Sequence, residues 1–200
     1  SRGCDLGARR RGDLWAADPE VGSRWIEPRA VRVVRTYPAP ILKPVAAPAQ
    51  ASEVDAIVAD LVDTMRANER CVGLAAPQIG IPARVAVVDV TGHPHAKEPL
   101  GLVVMVNPSV VEVSEGTKVG REGCLSLPDL TANVRRPRRA IVDTGSSEVE
   151  VRGIEARCIL HELDHLEGIL FLDRVASLTD DLFRRGEAPE STAKRDLSDA

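Results

Sequence analysis

Three residues near the C-terminal end carry the most chemistry for their spacing: His161, Glu162 and His165, in the pattern His-Glu-x-x-His. On a helix, positions four apart lie one turn above each other, so both imidazoles face one way and form two legs of a metal site. Glu162 is rotated by about 100° from His161. It can flank a metal-bound water without filling the coordination sphere, which suits a proton carrier. Two further points in the chain add to this pair. In Arg121-Glu122-Gly123-Cys124-Leu125-Ser126-Leu127-Pro128 the sharpest residue is Cys124, which taken alone reads as a small buried hydrophobe. In Cys71-Val72-Gly73-Leu74-Ala75-Ala76-Pro77-Gln78-Ile79-Gly80, small residues surround one amide, Gln78, which suggests backbone held close to something and an amide aimed at it. A hydrolytic metal centre uses three protein ligands and one open position. Cys124, His161 and His165 supply a thiolate and two imidazoles, leaving the fourth position for water.

The elements that must hold these residues are readable in outline. Val31 to Val34 is a short strand candidate, and Tyr37 to Pro44 is too proline-rich for a helix or a central strand. Ser52 opens a helix, with Asp55 as capping-box partner and Val54, Ile57, Val58, Leu61, Val62 and Met65 on one stripe, ending near Asn68. Arg84 to Val90, Leu102 to Val106 and Val110 to Val113 read as strands. Gly123 and Pro128 mark 121–128 as an interrupted strand or loop. Ala140 to Thr144 and Glu148 to Arg152 flank Gly145-Ser146-Ser147 as a hairpin, and Gly153 leads into the histidine helix, which Gly168 ends. Leu178 to Arg185 reads as a last helical turn or two. His93 and His95 sit among prolines and read as a solvated turn.

Composition limits the rest. A chain of 200 residues with 44% hydrophobic residues can bury one core, and 2% aromatics makes that core aliphatic. The expected organisation is an irregular extension over 1–30 carrying Trp15 and Trp25, one metallohydrolase domain over 31–185, and a polar tail over 186–200. A net charge of -4 leaves no large footprint for nucleic acid. The clusters Arg9-Arg10-Arg11 and Arg135 to Arg139 read as solvated surface. No apolar run of spanning length occurs, and the acidic N-terminal residues do not suit a signal peptide, so the chain reads as soluble, unexported and cytoplasmic. Cys4, Cys71, Cys124 and Cys158 are scattered, which fits reduced thiols.

Taken jointly and in this order, Gly73-Leu74-Ala75-Ala76-Pro77-Gln78, Glu122-Gly123-Cys124-Leu125-Ser126 and His161-Glu162-Leu163-Asp164-His165 resemble the three motifs of the peptide deformylases. The resemblance covers roughly three quarters of the chain and excludes the arm and the tail. It implies an α+β fold, with antiparallel sheets packed around a central helix that carries the His-Glu-x-x-His motif. The implied activity is removal of the N-formyl group from the formylmethionine of newly made polypeptides, with release of formate. By the same resemblance Cys124, His161 and His165 hold one divalent metal, Fe²⁺ first, with Zn²⁺, Ni²⁺ or Co²⁺ as alternatives. Glu162 is then the acid/base, and Gln78 and the Leu125 N-H hold the formyl oxygen. Val72, Gly73, Glu122, Gly123, Ile154 and Cys158 border the substrate. Formylmethionyl nascent peptides are the implied partners, with transient ribosome association.

The sequence departs from the family pattern at Cys71, where a glycine is usual, at Leu160, where a glutamine is usual, and in a short stretch between Pro137 and His161. These departures keep open a relative with lost or altered specificity. A zinc endopeptidase would need a third ligand beyond the helix, and no histidine follows His165. Two histidines and a cysteine also serve copper electron-transfer sites with a weak axial methionine, but Met65 and Met105 sit in predicted core elements.

Overall fold

The computed structural model describes residues 31–186, so the expectations for the N-terminal extension and for the tail from residue 187 lie outside the described residues. Chain order gives helix α1 (Ala51–Ala67), strands β1 (Gly73–Ala75), β2 (Val85–Val88), β3 (Val103–Val106), β4 (Ser109–Val113), β5 (Thr117–Cys124), β6 (Leu127–Pro137), β7 (Arg139–Asp143) and β8 (Glu148–Arg152), helix α2 (Gly153–Leu166), and strand β9 (Leu182–Arg184). The strands form three antiparallel sheets in the orders β1-β2-β3, β4-β7-β8 and β5-β6-β9. This is the expected α+β architecture.

Strand β2 shows why the two helices sit where they do. All four of its residues are buried, and successive side chains point to opposite faces. Val85 and Val87 pack with Ile57, Leu61 and Met65 of α1. Ala86 and Val88 pack with Ala156, Ile159, Leu163 and Leu166 of α2, a cluster that also takes Ala140 and Val142 of β7 and Val151 of β8. A strand apolar on both faces is stable only when both are covered, and here a helix covers each. The result places α2, the histidine helix, at the meeting point of the sheets.

The structure corrects several expectations. Val31 to Val34 forms no strand: Val31 and Val33 are exposed, and Arg32 instead ties the segment to Asp60 and to the Thr64 hydroxyl. The Ser52–Asp55 capping box is not formed, because α1 starts after Gln50, which makes no side-chain cap bond. Tertiary bonds set the entry, with the Ala49 N-H donating to Asn107 Oδ1 at 2.7 Å and Asn107 Nδ2 donating to Ala49 O. For residues 121–128 the interrupted strand holds rather than the loop: β5 and β6 form a long hairpin with Leu125-Ser126 at its tip, and the irregularity that Gly123 and Pro128 signalled is a register shift between Gly123 and Cys124. Finally, Leu182–Arg184 is a strand paired with β6, not a helical turn. Its pairing partner lies some fifty residues upstream, which no local period reveals.

Candidate metal centre

Helix α2 begins after the extended residue Arg152 and buries its apolar side against β2, β7 and β8. The two histidines project from the flank that meets the β5–β6 hairpin. There Cys124 Sγ lies 3.2 Å from His165 Nε2, and one ligand atom from each of Cys124, His161 and His165 falls within 4.8 Å of the others. All three residues are buried. Among the described residues this is the sole such cluster. The donor set fits a divalent transition metal: a soft thiolate and two imidazoles converge on one point, as an open tetrahedral site requires.

What surrounds the ligands fixes their direction. His161 Nδ1 lies 2.9 Å from Glu122 Oε2, so its N-H donates to the carboxylate and Nε2 is the nitrogen aimed at the cluster. Glu122 is itself gripped by Arg136, through Nε and Nη2 at 2.9 Å each, and by Arg157 Nη1 at 2.7 Å. Arg136 Nη1 also donates to Asp164 Oδ2, on which Arg174 closes a second bidentate contact. Phe171 stacks against His161 with ring centroids 6.3 Å apart. Although burial opposes its charge, hydrogen bonds from His161 and Arg136 hold the Glu122 carboxyl well below the usual carboxylate range.

The three described cysteines divide by environment. Burial pushes the thiols of Cys71 and Cys158 up to about 12, and the neighbouring Glu162 charge adds to the rise. Burial acts on Cys124 in the same direction, yet the positive charge of His165 and a hydrogen bond from His161 bring it well below its ordinary value. Burial also opposes the charge on His161, but its bonds to Cys124 and Glu122 raise its pKa well above the ordinary value. Cys124 is therefore the thiolate of the three, the form that binds metal.

Glu162 is buried beside the cluster, and its Oε2 has no hydrogen-bond partner among the described residues. Burial pushes its carboxyl up to about 7, against the charges of His161 and His165. A carboxyl poised near neutrality with a free oxygen is suited to carrying a proton. Its close neighbour is Gly73: a Cβ there would stand 2.6 Å from Glu162 Oε1, so only glycine admits the carboxylate at this point of β1. The other sequence-predicted residues gather around the same point. Gln78, in a 3₁₀ turn at Ala76–Ile79, accepts the Ala75 N-H through Oε1 at 2.9 Å. That bond turns Nε2 toward Cys124 Sγ and Ser126 Oγ, at 3.3 and 3.2 Å.

A cleft of about 300 Å³ opens over these groups, lined by Val72, Gly73, Gln78, Glu122, Gly123, Leu125, Ile154, Cys158 and Glu162 along with Cys124 and His161. The side chain of Glu122 is committed to His161 and the two arginines, so it supports the centre from behind. The departures leave the centre intact: Leu160 joins the core cluster around α2, and Cys71 donates its thiol proton to Gly73 O. His93 and His95 form a turn in which His93 Nδ1 accepts the His95 N-H. Sequence reasoning missed Arg136, Arg157 and Ser126. Arg136 belongs to the cluster read as solvated surface, but strand alternation turns it inward to 3% exposure while Arg135 faces out.

Comparison with known proteins bears on this geometry. The family model for polypeptide deformylase matches residues 31–181. A peptide deformylase of Rhizobium meliloti (strain 1021) is 41% identical over 155 residues, covering 74% of this chain and 87% of the relative. A ligand-bound structure of the class I type b peptide deformylase of Acinetobacter baumannii superposes with a TM-score of 0.67 at 37% identity, covering 73% of this chain and 99% of that one. The Met-Ala-Ser-bound structure of the same enzyme gives 0.64 at 36% identity, covering 72% and 99%.

Proposed function

Since the chain belongs to the peptide deformylase family, we propose that Cys124, His161 and His165 hold its metal and that Glu162 moves the proton in deformylation. The reaction is hydrolysis of the formyl amide at the N-terminal formylmethionine of new polypeptides: water adds to the formyl carbon, the C-N bond breaks, and formate and a free amine result. When bound, the divalent metal supplies Lewis acidity at that carbon. The unpartnered, buried Oε2 of Glu162 beside the three-ligand cluster carries this reading.

The chain's own residues divide the remaining work. Glu162 takes the proton of the attacking water and delivers it to the departing nitrogen, which leaves as the amine. Gln78 Nε2, held by the Ala75 bond, donates to the formyl oxygen as negative charge grows there, and the Leu125 N-H does so from the hairpin tip. Strand β1 pairs with β2 on one side, so the other side of Gly73 is open to the backbone of an extended peptide. Val72, Ile154 and Cys158 give the methionine side chain an apolar wall, and Gly123 borders the same cleft. Glu122 acts through His161.

Membership of the family supports Fe²⁺ as the physiological metal, with Zn²⁺, Ni²⁺ and Co²⁺ as alternatives, since one thiolate and two imidazoles suit any of them. Work on nascent chains puts the enzyme in the cytoplasm in transient association with ribosomes. No helix among the described residues is long and apolar enough to cross a membrane. The test is formate release from formyl-Met-Ala-Ser by anaerobically purified protein, paired with metal analysis. Stoichiometric metal without formate release would overturn the assignment of activity and favour a relative that has lost it.

A further inference from the structure

The wall of the cleft carries positive charge that nothing in the centre uses. Arg70, Arg121 and Arg185 all line it, and against them stands one exposed acid, Glu69. In a chain whose net charge is -4 this is a local reversal. None of the three arginines has an ion-pair partner among the described residues, whereas Arg136, Arg139, Arg152, Arg157 and Arg174 each do.

Two of them are held in place by groups that leave the charge uncancelled. Strand β9 lays the ring of Phe183 under the Arg121 guanidinium, 3.5 Å from the ring centroid. It also brings Arg185 to the cleft, where Nε donates to Pro128 O at 2.5 Å and Nη2 to Cys124 O at 3.3 Å. Gly123 makes this reach possible, since a Cβ there would come within 3.0 Å of Arg185 Nη2. An aromatic face and two carbonyls fix direction, and neither is an anion. Such a guanidinium meets a carboxylate without first giving up another, and with less side-chain entropy to lose.

The positive track continues past the cleft. A neighbouring groove shares His93, Arg121, Ile154 and Arg157 with it and adds Lys97, Lys118, Arg138 and Arg152, against Glu98, Glu150 and Glu155. Of these acids, Glu150 is already paired with Arg152 and Arg139, and Glu155 accepts the Leu100 N-H. A peptide seated by its N-terminal methionine in the cleft therefore sends its following residues past cations.

We propose that Arg121 and Arg185 select substrate, favouring polypeptides with Asp or Glu in the residues after the initiating methionine. This rests on the deformylase reading and narrows its substrate class. The experiment compares formyl-Met peptides continuing in Asp-Glu, Ala-Ser or Lys-Arg, with KM and kcat measured for each at low and high salt. Calorimetric binding of the matching unformylated Met peptides is measured alongside. The acidic peptides are expected to show a KM and a Kd lower than the basic ones by about three- to tenfold, with similar kcat, and salt should compress the difference. Arg121→Gln and Arg185→Gln should bring the acidic-to-basic ratio toward one, and Arg121→Lys should restore part of it. Equal KM and Kd for acidic and basic peptides, or a ratio that survives both glutamine substitutions, would overturn the proposal. Because binding is read without turnover, absence of formate from every peptide would count against the activity and leave the charge preference still measured.

Discussion

His161 Nδ1 and Glu122 Oε2 stand 2.9 Å apart inside the protein, and this contact turns the other ring nitrogen of His161 toward Cys124 and His165. Replacing Glu122 by Ala removes the acceptor and leaves the ring free to turn. Metal affinity should fall about 10- to 100-fold. Competition with a chromophoric chelator measures it, and an unchanged affinity would show that packing against Phe171 alone orients the ring.

Among the described residues Glu162 contacts no other polar group through Oε2, and it stands beside Cys124, His161 and His165 without joining their cluster. Glu162→Gln keeps the volume and loses the transferable proton. Turnover should drop by about 10²- to 10⁴-fold while metal content stays stoichiometric. Full activity in this variant would remove Glu162 from the reaction.

The absence of a side chain at Gly73 is what lets Glu162 approach β1, since a Cβ would stand 2.6 Å from Oε1. Gly73→Ala should displace the carboxylate and lower kcat by about 10²-fold, with little change in melting temperature. If kcat holds and only KM rises, the glycine serves substrate pairing alone.

Arg136 is 3% exposed between two buried carboxylates, Glu122 and Asp164. Arg136→Met leaves both without their shared cation, although Arg157 and Arg174 still reach them. The loss of stability should be about 3 kcal/mol, at the lower end of what breaking a buried pair costs. Urea unfolding of the metal-loaded variant reads it directly, and a change below about 1 kcal/mol, the scale of an exposed pair, would mean the neighbouring arginines compensate fully.

The raised carboxyl of Glu162 sets a pH dependence in the metal-free protein. Below the ordinary value of 4.5 both folded and unfolded chains are protonated there, and no penalty arises. As pH climbs from that value to about 7, the unfolded chain ionises while the folded one resists, so stability falls through this window and levels off above it. Glu162→Gln should abolish that part of the slope. Unfolding of metal-stripped protein across the window tests it, and parallel profiles for the two proteins would contradict the assignment.

The sequence by itself determined the residues of the candidate centre, because their evidence is local. His161 and His165 are one helical turn apart, Gln78 stands alone among small residues, and Cys124 sits in its own Gly-Cys-Leu setting. The buried strands were legible for the same reason, since an apolar run such as Val85–Val88 announces itself without its neighbours. Only the tertiary structure decided what stands behind and beside the centre. Arg136 looks like one more surface cation in a basic run until β6 turns it inward, and Arg157 gives no sign that it grips Glu122. Strand β9, read as a helical turn, is made a strand by pairing with β6, and that pairing carries Phe183 under Arg121 and Arg185 to the cleft. A motif records which groups face the substrate. The bonds that aim those groups join residues far apart in the chain, and their geometry exists only after the sheets have packed on α2.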